Sequence, residues 1–340
     1  MSDILRSVGL DVGTTSTQMI FSELTVENKA SGFAVPEMEI ARRDIRYRSP
    51  VYFTPLLDES HVDAGALREL VAEEYRKAGI RRESVDTGAI IITGETSRKE
   101  NARAVLDALS DFAGEFVVAT AGPDLESVLA AKGAGAVDYS QRTGKTVLHM
   151  DIGGGTTDIA VLSMNGVAVS SSLKVAGNYF DEMIPRYVRR QHGVVVGQVT
   201  AENVKIQIGQ VYPRDEERSM NVKGRDFKTG MPKVITLTST EIFEVLRRPA
   251  RMITDEVLAV LEQTSPELVS DISENGITLT GGCSQIWGMD LLIAERTGIG
   301  CVLADDPDAC TAYGAGKSLA WINHMQEGPI NIARKRAMRG

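Results

Sequence analysis

The chain has 340 residues and a formal net charge of −9, from 37 lysines and arginines against 46 aspartates and glutamates. Hydrophobic residues make up 43% and charged residues 24%, the proportions of a folded globular protein, which argues against a disordered or fibrous chain. The acidic balance disfavours nucleic acid as a partner, because proteins that bind the phosphate backbone draw their affinity from clustered lysine and arginine. The three cysteines, an odd number, indicate neither a disulfide framework nor a spaced zinc site.

Neither a signal peptide nor a transmembrane segment is expected, because no apolar run reaches the length of either. We therefore expect a cytoplasmic protein. Residues 326–340 carry four basic side chains and are expected to form a solvated basic tail, with contact to acidic lipid or a partner as the alternative.

The first half of the chain alternates between predicted strands and helices. Apolar runs on both sides of segment 11–16 predict a β-hairpin with a tip of small residues. Beyond it, the spacing of apolar residues predicts a helix over 66–78, a strand over 87–93, a helix over 98–109, a strand over 115–119 and a helix over 125–131.

The second half begins with another predicted hairpin, over about 149–162, and continues the alternation. Thr200 is the predicted N-cap of a helix that has Glu202 in its first turn. The further elements are a strand over 167–175, helices over 180–191 and 200–208, two strands within 220–235 joined through 223–225, a long helix or helix pair over 239–264, and a strand over 276–280. Parallel strands joined by crossover helices are the expected architecture.

The two predicted hairpins carry the same motif. The segment Gly9–Thr17, with Asp11 before its turn, matches His149–Thr157, with Asp151 at the equivalent position. A repeat at this spacing, nearly half the chain, predicts two similar domains that face one another.

The composition of both turns indicates a phosphate site. Without a Cβ in the way, several backbone N–H groups can converge on one anion, and hydroxyl side chains add further donors. The predicted phosphate-binding residues are Gly13, Thr14, Thr15, Gly153, Gly154, Gly155 and Thr156. Asp11 and Asp151 lie at strand ends, where their carboxylates are predicted to hold Mg²⁺, usually through water, and both are candidate catalytic residues. One such motif is weak evidence, but two at this spacing predict a polyphosphate clamp.

A third glycine pair follows the strand near the C-terminal end. Gly281 and Gly282 would admit a base and ribose where larger side chains would collide, and the small residues of 312–316 suit close helix packing. The order of these elements resembles the actin, hexokinase and heat-shock-70 superfamily of ATPases over nearly the whole chain. This resemblance implies ATP or ADP with Mg²⁺ as cofactors.

The superfamily resemblance also implies a fold. We expect an α/β, actin-like (ribonuclease H-like) ATPase fold with two facing α/β domains and a nucleotide cleft. The first domain would span 1–150 with an insert over about 30–86, and the second 151–325 with an insert over about 181–266.

The first half of the chain resembles EutA, the large reactivating factor of ethanolamine ammonia-lyase. The matching runs are Ser7–Phe21, Arg43–Ile45, Ser49–Pro55, Gly88–Glu95, Arg98–Ala102, Phe116–Pro123, Leu125–Val128 and Gly133–Ala136. From about residue 151 the chain instead resembles MreB, the bacterial actin of rod-shaped cells. The matching runs there include Val175–Gly177, Asp181–Ile184, Thr200–Glu202, Lys205–Ile206, Gly224–Asp226, Leu279–Gly282 and Gly314–Lys317.

The resemblance to MreB suggests how fast ATP would be hydrolysed. In MreB-like ATPases a glutamate immediately before a proline polarises the attacking water. Here Gly122 stands before Pro123, and we expect slow hydrolysis. Glu126 is the candidate for the missing role, although an acid in the first turn of a helix is equally suited to stabilise the helix dipole.

Three other positions have both a functional and a structural interpretation. Glu202 and Lys205 match the pair that flanks adenine in MreB-like proteins, although an i, i+3 surface pair needs no ligand. Cys283 replaces the third glycine of the MreB pattern and is not expected to be a catalytic thiol. His149 is expected to be a buried strand residue.

Two functions from different classes follow. The first is a reactivating chaperone that uses ATP to make ethanolamine ammonia-lyase, its expected partner, release damaged cobalamin. The second is a polymerising bacterial actin for cell shape, which would associate with itself. A sugar or acid kinase is a weaker third hypothesis, because no acceptor-binding acid stands out.

Overall fold

The computed structural model describes residues 2–13, 16–28, 38–58, 61–92, 105, 108–109, 116–120, 123–164 and 166–318. They divide into a first unit, which runs up to Gly135 and resumes at Ala309, and a second unit, Ala136–Asp308. The domain boundary expected at 150/151 is therefore too late by one helix and one strand. The predicted tail over 326–340, together with Thr14 and Thr15, lies outside the described residues.

A six-stranded mixed sheet forms the centre of the first unit. The strands of this unit are β1 (Ser2–Val12), β2 (Ser16–Asn28), β3 (Met38–Arg48), β4 (Tyr52–Phe53), β5 (Leu56–Asp58), β6 (His61–Val62), β7 (Thr87–Ile92) and β8 (Phe116–Thr120). The sheet order is β3-β2-β1-β7-β8, with β4 paired to β2, while β5 and β6 pair separately. β1 and β2 are antiparallel, which confirms the first predicted hairpin, and β1, β7 and β8 are parallel.

The part of the first unit up to Gly135 contains the described helices α1 (Ala64–Ala78) and α2 (Pro123–Gly133). Asp63 caps the start of α1 by accepting a hydrogen bond from the N–H of Ala66, and Gly79 ends it with a left-handed φ of 67°. The buried residues of α1 are Leu67, Val71, Glu74 and Tyr75. Most of the helix predicted over 98–109 lies outside the described residues.

The buried carboxylate of Glu74 ties α1 to two strands. It accepts hydrogen bonds from the hydroxyls of Tyr47 (2.8 Å) and Tyr52 (2.6 Å) and from the ammonium of Lys77 (2.9 Å). Burial alone would raise the pKa of Glu74, but these hydrogen bonds together lower it below its ordinary value. The ionised Glu74 carboxylate therefore holds β3 and β4 against α1 through these hydrogen bonds.

The second unit contains two sheets and six of the described α-helices. The helices are α3 (Ala136–Thr143), α4 (Gly177–His192), α5 (Gln198–Ile208), α6 (Ser239–Gln263), α7 (Pro266–Asn275) and α8 (Met289–Thr297). The strands are β9 (Val147–Ile152), β10 (Thr157–Ser163), β11 (Gly166–Leu173), β12 (Val194–Val195), β13 (Ser219–Asp226), β14 (Pro232–Thr238), β15 (Ile277–Thr280) and β16 (Cys301–Leu303). The main sheet has the order β11-β10-β9-β15-β16, and β12, β13 and β14 form a separate sheet. β9 and β10 are the second predicted hairpin, also confirmed.

Two local predictions in this unit are wrong. Thr200 is not an N-cap, because α5 already begins at Gln198 and Gly197 occupies the cap position. The segment 223–225 is not a turn but the end of β13, where Gly224 lets the backbone of β12 approach closely. The actual turn comes after Asp226, whose carboxylate accepts hydrogen bonds from the N–H groups of residues 228 and 229.

The long segment after β14 is one helix and not a pair. α6 begins at a capping box, in which the Thr238 hydroxyl accepts from the N–H of Glu241 and the Glu241 carboxylate accepts from the N–H of Thr238. Its buried stripe, which includes Leu246, Ile253 and Val257, packs into the core around β9, β10 and β15. The helix α3 was not predicted, because its sequence is mostly polar.

The chain returns to the first unit with its last described helix, α9 (Cys310–Ser318). The predicted close packing of 312–316 is confirmed for Gly314, where a Cβ would lie 1.7 Å from the carbonyl oxygen of Leu129 in α2. A Cβ on Gly9 of β1 would likewise lie 2.7 Å from the carbonyl oxygen of Ala312. The expected second domain, 151–325, therefore wrongly included this helix.

Candidate functional site

The first Asp-x-Gly turn joins β1 to β2. Asp11 is half-buried near the end of β1, opposite Gln18 of β2 and beside Ile91 of β7. Gly13 closes the turn by donating its N–H to the carbonyl oxygen of Ser16 at 2.8 Å. The hydroxyls predicted to assist this turn, on Thr14 and Thr15, lie outside the described residues.

The second turn, between β9 and β10, is held from behind by the start of α4. The N–H of Gly177 donates to the carbonyl oxygen of Gly153 (3.1 Å), and the N–H of Asn178 donates to that of Gly154 (2.7 Å). In a planar trans peptide the N–H points opposite to the C=O. The N–H groups of Gly154 and Gly155 are therefore directed away from α4, side by side.

Two adjacent N–H groups aimed the same way form a concavity for an anion. Among the described residues, none accepts a hydrogen bond from the N–H of Gly154 or Gly155. Thr156 differs from its predicted role as a free donor, because its hydroxyl donates to the Asp158 carboxylate at 2.9 Å. The glycines, more than the threonine, are thus suited to meet a phosphate here.

Asp151 is buried at the end of β9, directly in front of this turn. The strand β15 runs parallel to β9 and ends at Thr280, beside Asp151; Gly281 follows with a φ of 85°. A Cβ on Gly281 would lie 2.4 Å from the Asp151 carboxylate and 2.3 Å from the carbonyl oxygen of Ile152. Only glycine leaves this carboxylate its space.

Gly281 and Gly282, which the sequence treats alike, differ in their surroundings in the turn after β15. Gly281 is buried, and its N–H donates to the carbonyl oxygen of Pro307 at 2.8 Å. Gly282 is exposed, and a Cβ there would meet nothing within 4 Å. Of the two, Gly282 has the open approach that a base or ribose would need.

The helix α5 brings Glu202 and Lys205 to the same region. Lys205 is buried and donates to Asp181 of α4 at 2.7 Å, whereas Glu202 is half-buried. Burial raises the pKa of Asp181, while the ammonium of Lys205 lowers it and the carboxylate of Glu202 raises it further. Lys205 is therefore not half of an exposed surface pair, which was one of the two interpretations of these residues.

Two further buried groups line the strands behind the turn. His149 is fully buried, as predicted, and its Nε2 lies 3.0 Å from the hydroxyl of Thr280. Burial lowers the pKa of His149 to about 3, so that the ring is neutral at physiological pH. Burial also raises the pKa of Cys283 to about 11, which keeps it a thiol and not a nucleophilic thiolate.

The second unit thus brings together most of the predicted site residues. These are Asp151, Gly153, Gly154, Gly155, Thr156, Glu202, Lys205, Gly281 and Gly282. Asp11 and Gly13 belong to the first unit, where Glu126 also lies, in the first half of α2. Gly177, Asn178 and Asp181 had no predicted role, although 175–177 and 181–184 are among the runs that resemble MreB.

The described residues contain no group of three or more histidine, cysteine, aspartate or glutamate side chains that could by themselves hold a metal ion. A buried carboxylate directly before a glycine-rich turn, as at Asp151, fits Mg²⁺ that keeps its waters and takes its other ligands from phosphate. Within the described part of the chain, no helix is both long and apolar enough to cross a membrane.

A family model described as ethanolamine utilisation protein EutA matches residues 3–304. The chain belongs to the EutA family. The ethanolamine ammonia-lyase reactivase EutA of Salmonella typhimurium LT2 is 36% identical over 289 residues, which are 83% of this chain and 56% of that protein. The EutA match therefore extends well past residue 150, where the sequence suggested a change of family.

The resemblance to MreB is also confirmed. The cell shape-determining protein MreB of Escherichia coli K12 is 48% identical over 198 residues, which are 58% of this chain and 56% of that protein. The chain spans about half the length of both these curated relatives. The crystal structure of MreB5 of Spiroplasma citri bound to AMPPNP has a TM-score of 0.71 and 29% identity, over 94% of this chain and 97% of that one. This EutA-family chain therefore has the predicted actin-like ATPase fold.

Proposed function

We propose that the chain binds ATP or ADP with Mg²⁺, hydrolyses ATP slowly and serves as a reactivating chaperone of ethanolamine ammonia-lyase. The observation that carries the proposal is the turn after Asp151, with its two outward N–H groups, in a chain of the EutA family. The name of the Salmonella typhimurium relative supplies the client enzyme.

The nucleotide would be held by backbone groups and small residues. The turn glycines and the hydroxyls of Thr14 and Thr15 would bind phosphate oxygens, and Gly282 would leave room for the adenosine. Asp11 and Asp151 would hold Mg²⁺ through water. When bound, Mg²⁺ would neutralise charge on the phosphates.

Slow hydrolysis follows from Gly122, which stands where MreB-like ATPases have a glutamate. Glu126, one turn into α2, is proposed to orient the attacking water in its place. A slow step suits a protein that changes its affinity for a client with the bound nucleotide, because each nucleotide state must last long enough to act. We place this activity in the cytoplasm.

Reactivation is the direct test. Ethanolamine ammonia-lyase inactivated by damaged cobalamin is mixed with the purified chain, Mg²⁺, ATP and fresh adenosylcobalamin, and enzyme activity is followed. We expect recovery that depends on ATP. If activity does not recover although the chain is folded and binds ATP, the proposed chaperone function is excluded and the proposed nucleotide site is not.

A second candidate function is a polymerising actin for cell shape, favoured by the 48% identity to MreB. It predicts Mg–ATP-dependent light scattering and pelleting above a critical concentration. Filaments without reactivation would support this function instead, and reactivation by a chain that stays in the supernatant would exclude it.

A further inference from the structure

The side chain of Gln18 is buried in β2 without a partner for its carbonyl oxygen. Gln18 is only 6% exposed, and among the described residues none donates a hydrogen bond to its Oε1 atom. Buried polar groups are nearly always paired, with protein, with ordered water or with a bound ion or ligand. An acceptor that stays buried and unpaired destabilises the fold, so packing does not account for a glutamine at this position.

Gln18 stands directly opposite Asp11 in the antiparallel pair of β1 and β2. Residues that oppose each other in such a pair project from the same face of the sheet, with Cβ atoms about 4.5–5.5 Å apart. Their chain neighbours Leu10, Val12 and Met19 project from the other face, into the core of the first unit. The Gln18 amide and the Asp11 carboxylate are therefore neighbours at the end of the hairpin that carries the first turn.

The next residue along this face of β2 is hydrophobic. Ile20 is buried against Ala309, Ala312 and Tyr313, at and just before the start of α9. A hydrophobic side chain at position 18 would suit such surroundings equally well. The amide therefore indicates that its partner is polar.

The chemistry of the unpaired atom selects the kind of partner. A carbonyl oxygen only accepts hydrogen bonds, so it cannot pair with the oxygens of an ionised phosphate, which carry no hydrogen. Water on a cation is a strong donor, because the ion polarises its O–H bonds. Mg²⁺ bound with phosphates usually keeps several of its waters.

We propose that Gln18 is a further binding residue of the first turn, whose amide oxygen accepts a hydrogen bond from a water on the Mg²⁺ that Asp11 holds. Asp11 would supply the charge, and Gln18 would orient the hydrated ion and with it the phosphates. This inference rests on the proposed nucleotide binding.

Gln18→Met separates ligand binding from packing. Methionine has nearly the same length and replaces the unpaired oxygen with apolar atoms, so the melting temperature of the free protein should stay at the wild-type value or rise. Its affinity for Mg–ATP should nevertheless fall by about tenfold, the loss typical when a group that orients a metal ligand is removed. In a chelator, ATP should bind the variant and the wild type alike. Calorimetric titration and thermal unfolding measure these effects.

Gln18→Glu tests which end of the amide meets the ligand, because glutamate keeps an acceptor and has no donor. The ligand here is inorganic tripolyphosphate, which carries phosphates without adenosine. With Mg²⁺ its affinity should be retained, and without Mg²⁺ it should fall, because the added carboxylate repels phosphate that no metal neutralises. Weaker binding both with and without Mg²⁺ would mean that the amide donates to phosphate, and would overturn the proposal.

Ser7 provides a matched control on the same face of the hairpin. It lies in β1 four residues before Asp11, and its buried hydroxyl oxygen also has no hydrogen-bond partner among the described residues. Ser7→Ala should leave Mg–ATP affinity unchanged, because its hydroxyl is one turn of the strand pattern further from the site. An equal loss in Ser7→Ala and Gln18→Met would trace the effect to a disturbed hairpin and overturn the proposal.

Two further results would contradict the role of Gln18. One is a Gln18→Met variant that binds Mg–ATP as tightly as the wild type. The other is a free Gln18→Met variant that melts well below the wild type, since the amide would then pair within the protein. If the wild type itself binds neither Mg–ATP nor Mg²⁺ with tripolyphosphate, the proposed nucleotide site fails, and the inference fails with it.

Discussion

The hydroxyl of Thr54 donates a hydrogen bond to the carbonyl oxygen of Gly13 at 2.8 Å. Thr54 is buried, and its oxygen also lies 3.0 Å from the hydroxyl of Thr17, at the start of β2. One side chain from the segment after β4 therefore contacts both ends of the first Asp-x-Gly turn. The second turn is fastened differently, by backbone N–H groups of α4.

Thr54→Val should loosen the first turn, because valine has the same shape but can replace neither hydrogen bond. Loss of buried hydrogen bonds costs about 1–3 kcal/mol of unfolding free energy. We expect a lower melting temperature and weaker ATP binding by several fold. Thr54→Ser keeps the hydroxyl and should retain most of the wild-type affinity. If the valine and serine variants bind ATP with equal affinity, Thr54 has no role in the nucleotide site.

The sequence indicated that residues 49–55 matter, through the resemblance to EutA, without indicating why. Thr54 reaches Gly13 because β4 pairs with β2, a contact between segments far apart in the chain. Local patterns such as glycine turns and apolar spacing predicted both hairpins. Contacts made by single hydroxyls across the fold have no such pattern, so Thr54 and Gly177 could not be assigned beforehand.

Gly281 and Gly282 offer a matched pair of substitutions. Gly281→Ala would place a methyl group against the Asp151 carboxylate at a left-handed φ, and it should cost about 1–3 kcal/mol of stability. Gly282→Ala meets open space, so its effect on stability should stay within about 0.5 kcal/mol. Thermal unfolding checks both values.

The same pair tests the adenosine site. If the base or ribose approaches Gly282, Gly282→Ala should weaken ATP binding while its melting temperature stays at the wild-type value. Tripolyphosphate binding should not change. An alanine variant with unaltered ATP affinity would indicate that the nucleoside lies elsewhere.

Asp11→Ala and Asp151→Ala should each weaken Mg–ATP binding, by at least about tenfold, because each removes a carboxylate that would hold the hydrated ion. The loss should be largest with Mg²⁺ present and small in a chelator. Titrations of ATP with and without Mg²⁺ measure the difference. If both variants bind Mg–ATP as tightly as the wild type, the proposed metal site is wrong.

The domain division shows the limit of sequence patterns in another way. The repeat of the Asp-x-Gly motif predicted the two hairpins, one in each of the two units. It could not indicate that the chain returns to the first unit, because that depends on α9 packing its glycine face onto α2. The small residues of 312–316 predicted a close contact but not its partner.

His149 predicts how stability depends on pH. Its pKa is about 3 in the folded protein and about 6.5 in an unfolded chain, so between these values only the unfolded state binds the proton. The stability that a neutral His149 contributes is complete above about pH 6.5 and is lost as the pH falls. The expected loss is about 1.4 kcal/mol for each pH unit below that point.

Urea unfolding at several pH values between 4.5 and 7 measures this slope. Glu74, whose pKa is lowered, contributes stability that is lost only below its ordinary pKa of 4.5, so the two groups act in different windows. His149→Gln can keep a hydrogen bond to Thr280 but cannot titrate, and it should show a shallower slope by the same amount. Parallel slopes for the variant and the wild type would mean that His149 is protonated in the folded state despite its burial.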